Sequence, residues 1–326
     1  MSVITNIVEK ITREDYTLTD ILRAQQAYHE KRRWSIHEVI SERKLTSFSQ
    51  RDRAALWHAA RAELTTQPAG IRMAVQGVQL AQQIEDDNPL GAMVLQAAAA
   101  WSARYWLEEE AHHEVAYGLL LEMTGLPPIE HDELVEHRGF FPEDNYARVC
   151  MLQACVEMEA CATYGQVAKT TSDPLVREIF SNIARDESQH RQYFVSFARG
   201  LLESGVYPVK DVLAMAYTWV RPGAGETHGS TRKQQSKRQG FVNWWERVNT
   251  DEESGLALAD EQIRSSNLQA TKERSLFAAV FEATGIKVNS ISELERAYFK
   301  SLTQPDTNRL RYSINQGTSE QVCVAQ

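Results

Sequence analysis

Two Glu-x-x-His pairs, Glu110 with His113 and Glu187 with His190, each lie inside a long stretch of helix-forming residues, WLEEEAHHE (106–114) and ARDESQHRQ (184–192). Residues three apart share one face of a helix, so each pair can offer a carboxylate and an imidazole to the same ion. One such pair is common by chance in a helical chain. Two of them, on the closing helices of successive hairpins, constrain the fold far more, because a shared site needs both helices in one bundle. A four-helix dinuclear site also needs one Glu from each of the two remaining helices. Oxygen and imidazole donors suit iron or manganese, and ligand type alone does not separate an Fe/Fe from a Mn/Fe pair.

The rest of the chain supplies the helices. Residues 51–65 are strongly helical, Pro68 and Gly70 interrupt or kink the run, and the pattern resumes through 71–85. EDDNP (85–89) reads as a turn with Pro89 at the first position of the next helix. Residues 89–123 form one long helical run closed by Gly125 and Pro127-Pro128, and 126–144 read as loop. A helix over about 145–169 is followed by TTSDP (170–174), with Asp173 as N-cap and Pro174 at N1, then a helix from 174 to about 203 and another over roughly 209–219. The two hairpins, 51–123 and 145–203, predict an all-α four-helix bundle with additional flanking helices. Divided by this pattern, 1–50 is an N-terminal helical extension and 51–220 the bundle; 221–240 is a mobile basic loop, and 241–326 a C-terminal helical region with a frayed tail. HEKRRW (29–34) reads as a solvated basic face.

Mirror symmetry across each hairpin predicts the missing ligands. Reflecting Glu187 through Ser172 lands on Glu157, a carboxylate in the apolar, small-residue stretch CVEMEAC, where burial is costly without a partner. Glu159 is its rival. Reflecting Glu110 through Asp87 lands beside Glu63; a shorter hairpin would bring Gln76 or Gln79 to that depth instead, and Glu85 is too near the turn. The register of the first pair has an alternative as well, since Glu109 with His112 has the same spacing.

Composition narrows the function classes. A net charge of −9 argues against a dedicated nucleic-acid binder. No run approaches the ~18–20 apolar residues of a membrane span, and MSVITNIVEKITRED lacks an apolar signal core, so the expectation is a soluble, cytoplasmic protein. The four cysteines (150, 155, 161 and 323) form no Cys-x-x-Cys pair and read as small buried residues rather than zinc ligands.

These residues resemble the soluble acyl-carrier-protein desaturases. That family's first motif runs Trp-Thr-Ala-Glu-Glu-x-x-His, and here Trp106 stands four residues before Glu110, with His113 closing the motif and LLLEMTG (119–125) following. Its second, Asp-Glu-x-x-His, is matched by IARDESQH (183–190); Val156-Glu157-Met158-Glu159-Ala160 and SDP (172–174) fall where its third helix and turn lie, and VKDVLAMAYTWV (209–220) resembles its next helix. The resemblance covers roughly 50–225. It implies a ferritin-like fold and a di-iron site held by Glu63, Glu110, His113, Glu157, Glu187 and His190, which would also be the catalytic residues. Asp186 is a candidate acceptor for a ligand imidazole.

It further implies two iron ions, dioxygen as co-substrate, an external ferredoxin-type electron donor, an acyl carrier protein as partner and a homodimer. No flavin or nicotinamide fingerprint is present, in keeping with outside electrons. Carrier proteins are acidic, which makes Arg232, Lys233, Lys237 and Arg238 the candidate docking cations. Trp101, Tyr105, Tyr164 and Phe194 are candidates to line a substrate cavity. The chain departs from the family at Ala160, where the family carries Thr, and in its C-terminal third, so hydroxylation or N-oxygenation stands beside desaturation. An iron-binding protein without organic substrate, and a helical protein with no metal, are the competing classes.

Overall fold

The computed structural model describes residues 6–41, 43–63, 67–129, 145–221 and 266–303. All the regular structure among them is helical. The helices are α1 (Ile7–Arg13), α2 (Leu18–Glu30), α3 (Ile36–Ile40), α4 (Gln50–Glu63), α5 (Gln67–Ile84), α6 (Pro89–Trp101), α7 (Leu107–Thr124), α8 (Tyr146–Thr170), α9 (Pro174–Glu203), α10 (Val209–Val220), α11 (Ser266–Thr284) and α12 (Ile291–Leu302). The cations Arg232, Lys233, Lys237 and Arg238 lie outside the described residues, as do the rest of the basic loop from 222 onward and the tail after 303.

Local chemistry sets the element ends. Asn88 caps α6 by accepting from the Gly91 N–H, with Pro89 at the first helical position. Asp173 caps α9 by accepting from the Leu175 and Val176 N–H groups at 2.9 and 3.0 Å, ahead of Pro174. Its second oxygen accepts from the backbone N–H groups of Thr46 and Ser47, so one carboxylate both starts a bundle helix and ties down the N-terminal segment. Gly125 closes α7 with φ of 64°, the left-handed conformation that favours glycine. α4 is described to Glu63 and α5 from Gln67, with Pro68 at the start of α5; residues 64–66 lie outside the described residues.

The run expected over 89–123 is not one uniform helix. A π-helical turn, Ser102–Trp106, joins α6 to α7 one turn before Glu110. Such wide turns insert a residue into the helical phase and recur at functional sites. Period reading does not detect them, because the apolar pattern continues on both sides.

α8 and α9 pack as an antiparallel hairpin, and α5 and α6 form a second one, extended by α4 and α7. The buried apolar side chains fall into two clusters. One gathers Leu95 and Trp101 of α6, Val149 and Leu152 of α8, and Phe194 and Leu201 of α9, with α10, α11 and α12. The other gathers Leu56 and Trp57 of α4, Tyr117 and Leu120 of α7, Val167 of α8 and Ile179 and Ile183 of α9. On α7, α8 and α9 the acidic and imidazole residues of interest occupy the stretch where one cluster gives way to the other. A polar layer is thereby sealed between two apolar ones.

Candidate metal centre

α4 contributes Glu63, α7 Glu110 and His113, α8 Glu157, and α9 Glu187 and His190. All six are buried, none more than 4% exposed. They form two four-residue groups with ligand-capable atoms lying within 4.8 Å of one another: Glu63, Glu110, His113 and Glu187, and Glu110, Glu157, Glu187 and His190. Glu110 and Glu187 belong to both groups and so stand where bridging ligands between two ions would stand. Glu63 and Glu157 each belong to one. Glu159 and His112 are only partly buried and join neither group, while Gln76 is buried elsewhere and Gln79 is exposed.

The two imidazoles are oriented alike. His113 points Nδ1 at Glu187 (3.3 Å) and at Glu63 and Glu110 (3.8 Å each). His190 points Nδ1 at Glu187 (3.0 Å), Glu110 (3.1 Å) and Glu157 (3.9 Å). Each Nε2 faces outward to a carboxylate: His190 to Glu109 at 2.7 Å, His113 to Asp186 at 3.5 Å. The acceptor for each imidazole is the residue immediately before the shared glutamate of the other helix. Glu109 precedes Glu110 and serves His190; Asp186 precedes Glu187 and serves His113. An Nε2–H donated to a carboxylate leaves the Nδ1 lone pair free for a metal, the arrangement that orients metal-binding histidines.

Further contacts restrain the carboxylates. Trp106 Nε1 donates to Glu110 Oε1 at 2.7 Å, and the Tyr164 hydroxyl donates to Glu63. Trp34 Nε1 donates to Asp186 Oδ2 at 2.6 Å.

Four buried polar atoms at the centre have no hydrogen-bond partner: Glu63 Oε2, His113 Nδ1, Glu157 Oε1 and Glu187 Oε1. Unpaired buried acceptors are expensive, and buried carboxylates more so. Four carboxylates at such spacing would repel strongly if ionised without cations, whereas two divalent ions would balance their charge and use the orphaned lone pairs. The residues therefore fit a metal site. Carboxylate oxygen and imidazole nitrogen are the donors of an iron or manganese centre; the cysteines of α8 are in neither group.

Without metal, protons do the balancing. Burial, and then the charges of Glu187 and Glu63, push Glu110 up to about 8. Burial with Glu187 and Glu110 drives Glu157 well above the usual carboxylate range. Burial alone would depress both histidines, but the charge of Glu187 beside His113 and the hydrogen bonds that His113 donates to Asp186 and His190 donates to Glu109 and Glu187 raise both well above their ordinary value. Burial likewise works to raise Glu187, yet the charge of His113 and the hydrogen bond from His190 hold it below its usual value. Glu109 is lowered to about 2: burial opposes this, and the hydrogen bonds from His190 and His29 prevail.

HEKRRW is solvated only in part: Glu30, Lys31 and Arg33 are exposed, while its two ring residues, His29 and Trp34, turn inward. His29 is buried, Arg33 pairs with Glu108 at 2.5 Å, Arg32 donates to the Arg185 carbonyl and Trp34 reaches Asp186. The segment packs against α7 and α9 through His29, which reaches Glu109, and Trp34, which reaches Asp186, while Arg32 and Arg33 make exposed contacts at the rim. Periodicity cannot register that, since the partners lie far away in the sequence. Of the aromatic side chains considered for a cavity, Trp101 and Phe194 are fully buried in an edge-to-face pair, Tyr164 is bound to Glu63, and Tyr105 stacks on His29.

No family model, no curated protein and no solved structure matches this chain. Among the described residues, no helix is long and apolar enough to cross a membrane.

Proposed function

We propose that the chain is an O2-dependent di-iron oxidase that attacks an unactivated C–H bond of a carrier-bound acyl chain, with desaturation as the outcome. The observation that carries this reading is the pair of four-residue groups sharing Glu110 and Glu187, each closed by one imidazole. The sequence likeness to acyl-carrier-protein desaturases, with their ferritin-like fold, supplies the substrate class.

Glu63, Glu110, His113 and Glu187 would hold one iron, and Glu110, Glu157, Glu187 and His190 the other. When bound, such a pair supplies dioxygen activation and hydrogen abstraction that no side chain here can perform. The chain's own part is positional and electrostatic. Asp186 and Glu109 hold the outward proton of each imidazole, so that Nδ1 remains a donor to metal. Trp106 and Tyr164 each engage one oxygen of Glu110 and of Glu63, restricting how those carboxylates can turn. The apolar clusters on either side exclude water, which strengthens every charge interaction inside and protects a reactive centre from side reactions. Electrons would come from a ferredoxin-type donor, and an acyl carrier protein would deliver the substrate.

A second reading, hydroxylation or N-oxygenation, is favoured by Ala160. It lies one helical turn beyond Glu157 and packs against the second apolar cluster, where the family places a hydroxyl.

The test begins with iron per chain after anaerobic ferrous reconstitution, in the parent and in a Glu187→Ala/His190→Ala variant. About two irons in the parent and a clear loss in the variant are expected. Turnover with acyl carriers of graded chain length, a reductase system and dioxygen, read by mass spectrometry, then separates the outcomes. Loss of two hydrogens indicates desaturation and gain of one oxygen indicates hydroxylation. A parent that binds no iron defeats the proposal.

A further inference from the structure

We propose that His29 is a positioning residue for one of the two metal subsites, acting through Glu109 on His190. This rests on the dinuclear reading above and extends it to α2, a helix outside the four that supply ligands.

His29 is 1% exposed, with its ring stacked on Tyr105 (centroids 4.1 Å apart, planes 4° apart) and on Tyr193 (5.5 Å, 19°). Its Nε2 lies 3.2 Å from Trp101 Nε1. An indole N–H can only donate, so Nε2 is an acceptor and the proton of His29 sits on Nδ1. That Nδ1 is 2.8 Å from Glu109 Oε1 and donates to it. Gln189 Nε2 lies 3.2 Å from this nitrogen and 3.4 Å from the ring Nε2; as a donor it can bond only the unprotonated ring Nε2. Glu109 therefore accepts one N–H on each oxygen, from His29 on Oε1 and from His190 on Oε2 at 2.7 Å. With both oxygens engaged the carboxylate cannot rotate, and the His190 tautomer that turns Nδ1 inward is fixed.

The other subsite is supported differently. His113 donates to Asp186 at a longer 3.5 Å, and the same Asp186 oxygen takes the Trp34 indole N–H at 2.6 Å. Beyond Asp186 that connection reaches the Trp34 indole and, at 3.9 Å from the other oxygen, the Arg185 guanidinium, with no second imidazole bonded to the carboxylate. The two subsites share their bridging carboxylates but differ in what holds their histidines. Loss of His29 would loosen the group Glu110, Glu157, Glu187 and His190, leaving that of Glu63, Glu110, His113 and Glu187 intact.

The experiment is an anaerobic titration of the full chain with Co2+ alone, followed by calorimetry and by elemental counting after gel filtration. It compares the parent with His29→Ala, His29→Asn and Trp34→Phe. In His29→Ala one of two binding steps should weaken by about 10–100-fold while the other keeps its parental affinity. In His29→Asn the amide N–H stands close to the position of Nδ1–H, and most of the loss should be recovered. Trp34→Phe should weaken the other step. The Asn variant separates positioning from packing, because it lacks the stacked ring as fully as the Ala variant does. Two parental binding steps in His29→Ala would overturn the proposal, and so would equal loss of both steps in the Ala and Asn variants. A parent that binds no Co2+ overturns the dinuclear reading along with this one.

Discussion

The preference for Glu110 over Glu109 and for Glu157 over Glu159 is a matter of which way a side chain leaves its helix. Neighbours on a helix point about 100° apart, so Glu109 cannot share the position of Glu110. It turns instead to His190 and His29, and Glu159 turns toward the surface. Glu157→Ala should therefore lower the iron content of the reconstituted chain clearly, whereas Glu159→Ala should retain the parental content; elemental analysis of both variants reads this directly. An equal loss in the two would show that the binding face of α8 has been misassigned.

Among the helices, the hairpin turns set the depth at which the ligands meet. Asp173 is the pivot of one of them, capping α9 through one oxygen and holding Thr46 and Ser47 through the other. Asp173→Ala removes both functions and should cost roughly 2 kcal/mol, the upper end for loss of an N-cap. The expected signature is a lower urea midpoint at unchanged slope. Gly91 begins α6 where Val206 presses close: a Cβ there would stand 2.3 Å from a Val206 methyl carbon. Gly91→Ala must displace that side chain, and a loss of about 1–3 kcal/mol is expected in the same assay.

For the molecule as a whole, the buried acids and histidines couple stability to pH in a way that metal should reverse. Glu110 is raised from 4.5 to about 8, and Glu157, His113 and His190 are raised too. A folded state that holds its protons more tightly than the unfolded chain is favoured at low pH. For Glu110 the advantage is complete below 4.5 and lost as pH rises through about 8. Glu187 and Glu109 are lowered and act the other way, losing their contribution in acid, for Glu109 as pH falls through about 2. The metal-free chain should thus melt at lower temperature at pH 8 than at pH 6. Metal displaces the same protons, so its apparent affinity should rise over this range. Ferrous ion at 100 times its pH 6 dissociation constant should add about 2.7 kcal/mol at pH 6, and the same concentration should add more at pH 8, where its affinity is higher. A metal increment that shrinks with pH would contradict the assignment of these groups.

How much of this was open to sequence reading depends on the range of each interaction. Glu-x-x-His spacing is a local fact of helix geometry, and the turns at Asn88-Pro89 and Asp173-Pro174 carry their own chemistry. Reflection through those turns therefore reached Glu63 and Glu157, the residues that the structure brings beside Glu110, His113, Glu187 and His190. The acid immediately before each shared glutamate, Glu109 and Asp186, is also visible as a repeat, though the family resemblance points only to Asp186 as a partner for an imidazole. What the sequence could not determine was decided by packing between distant segments. The π-helical turn at Ser102–Trp106 breaks no periodicity, and the seating of buried His29 and half-buried Trp34 depends on Glu109 and Asp186, which lie far along the chain. A helix period reports which face is apolar; it cannot report which buried polar partner a neighbouring helix will offer, because that follows from the angle and register at which whole elements dock.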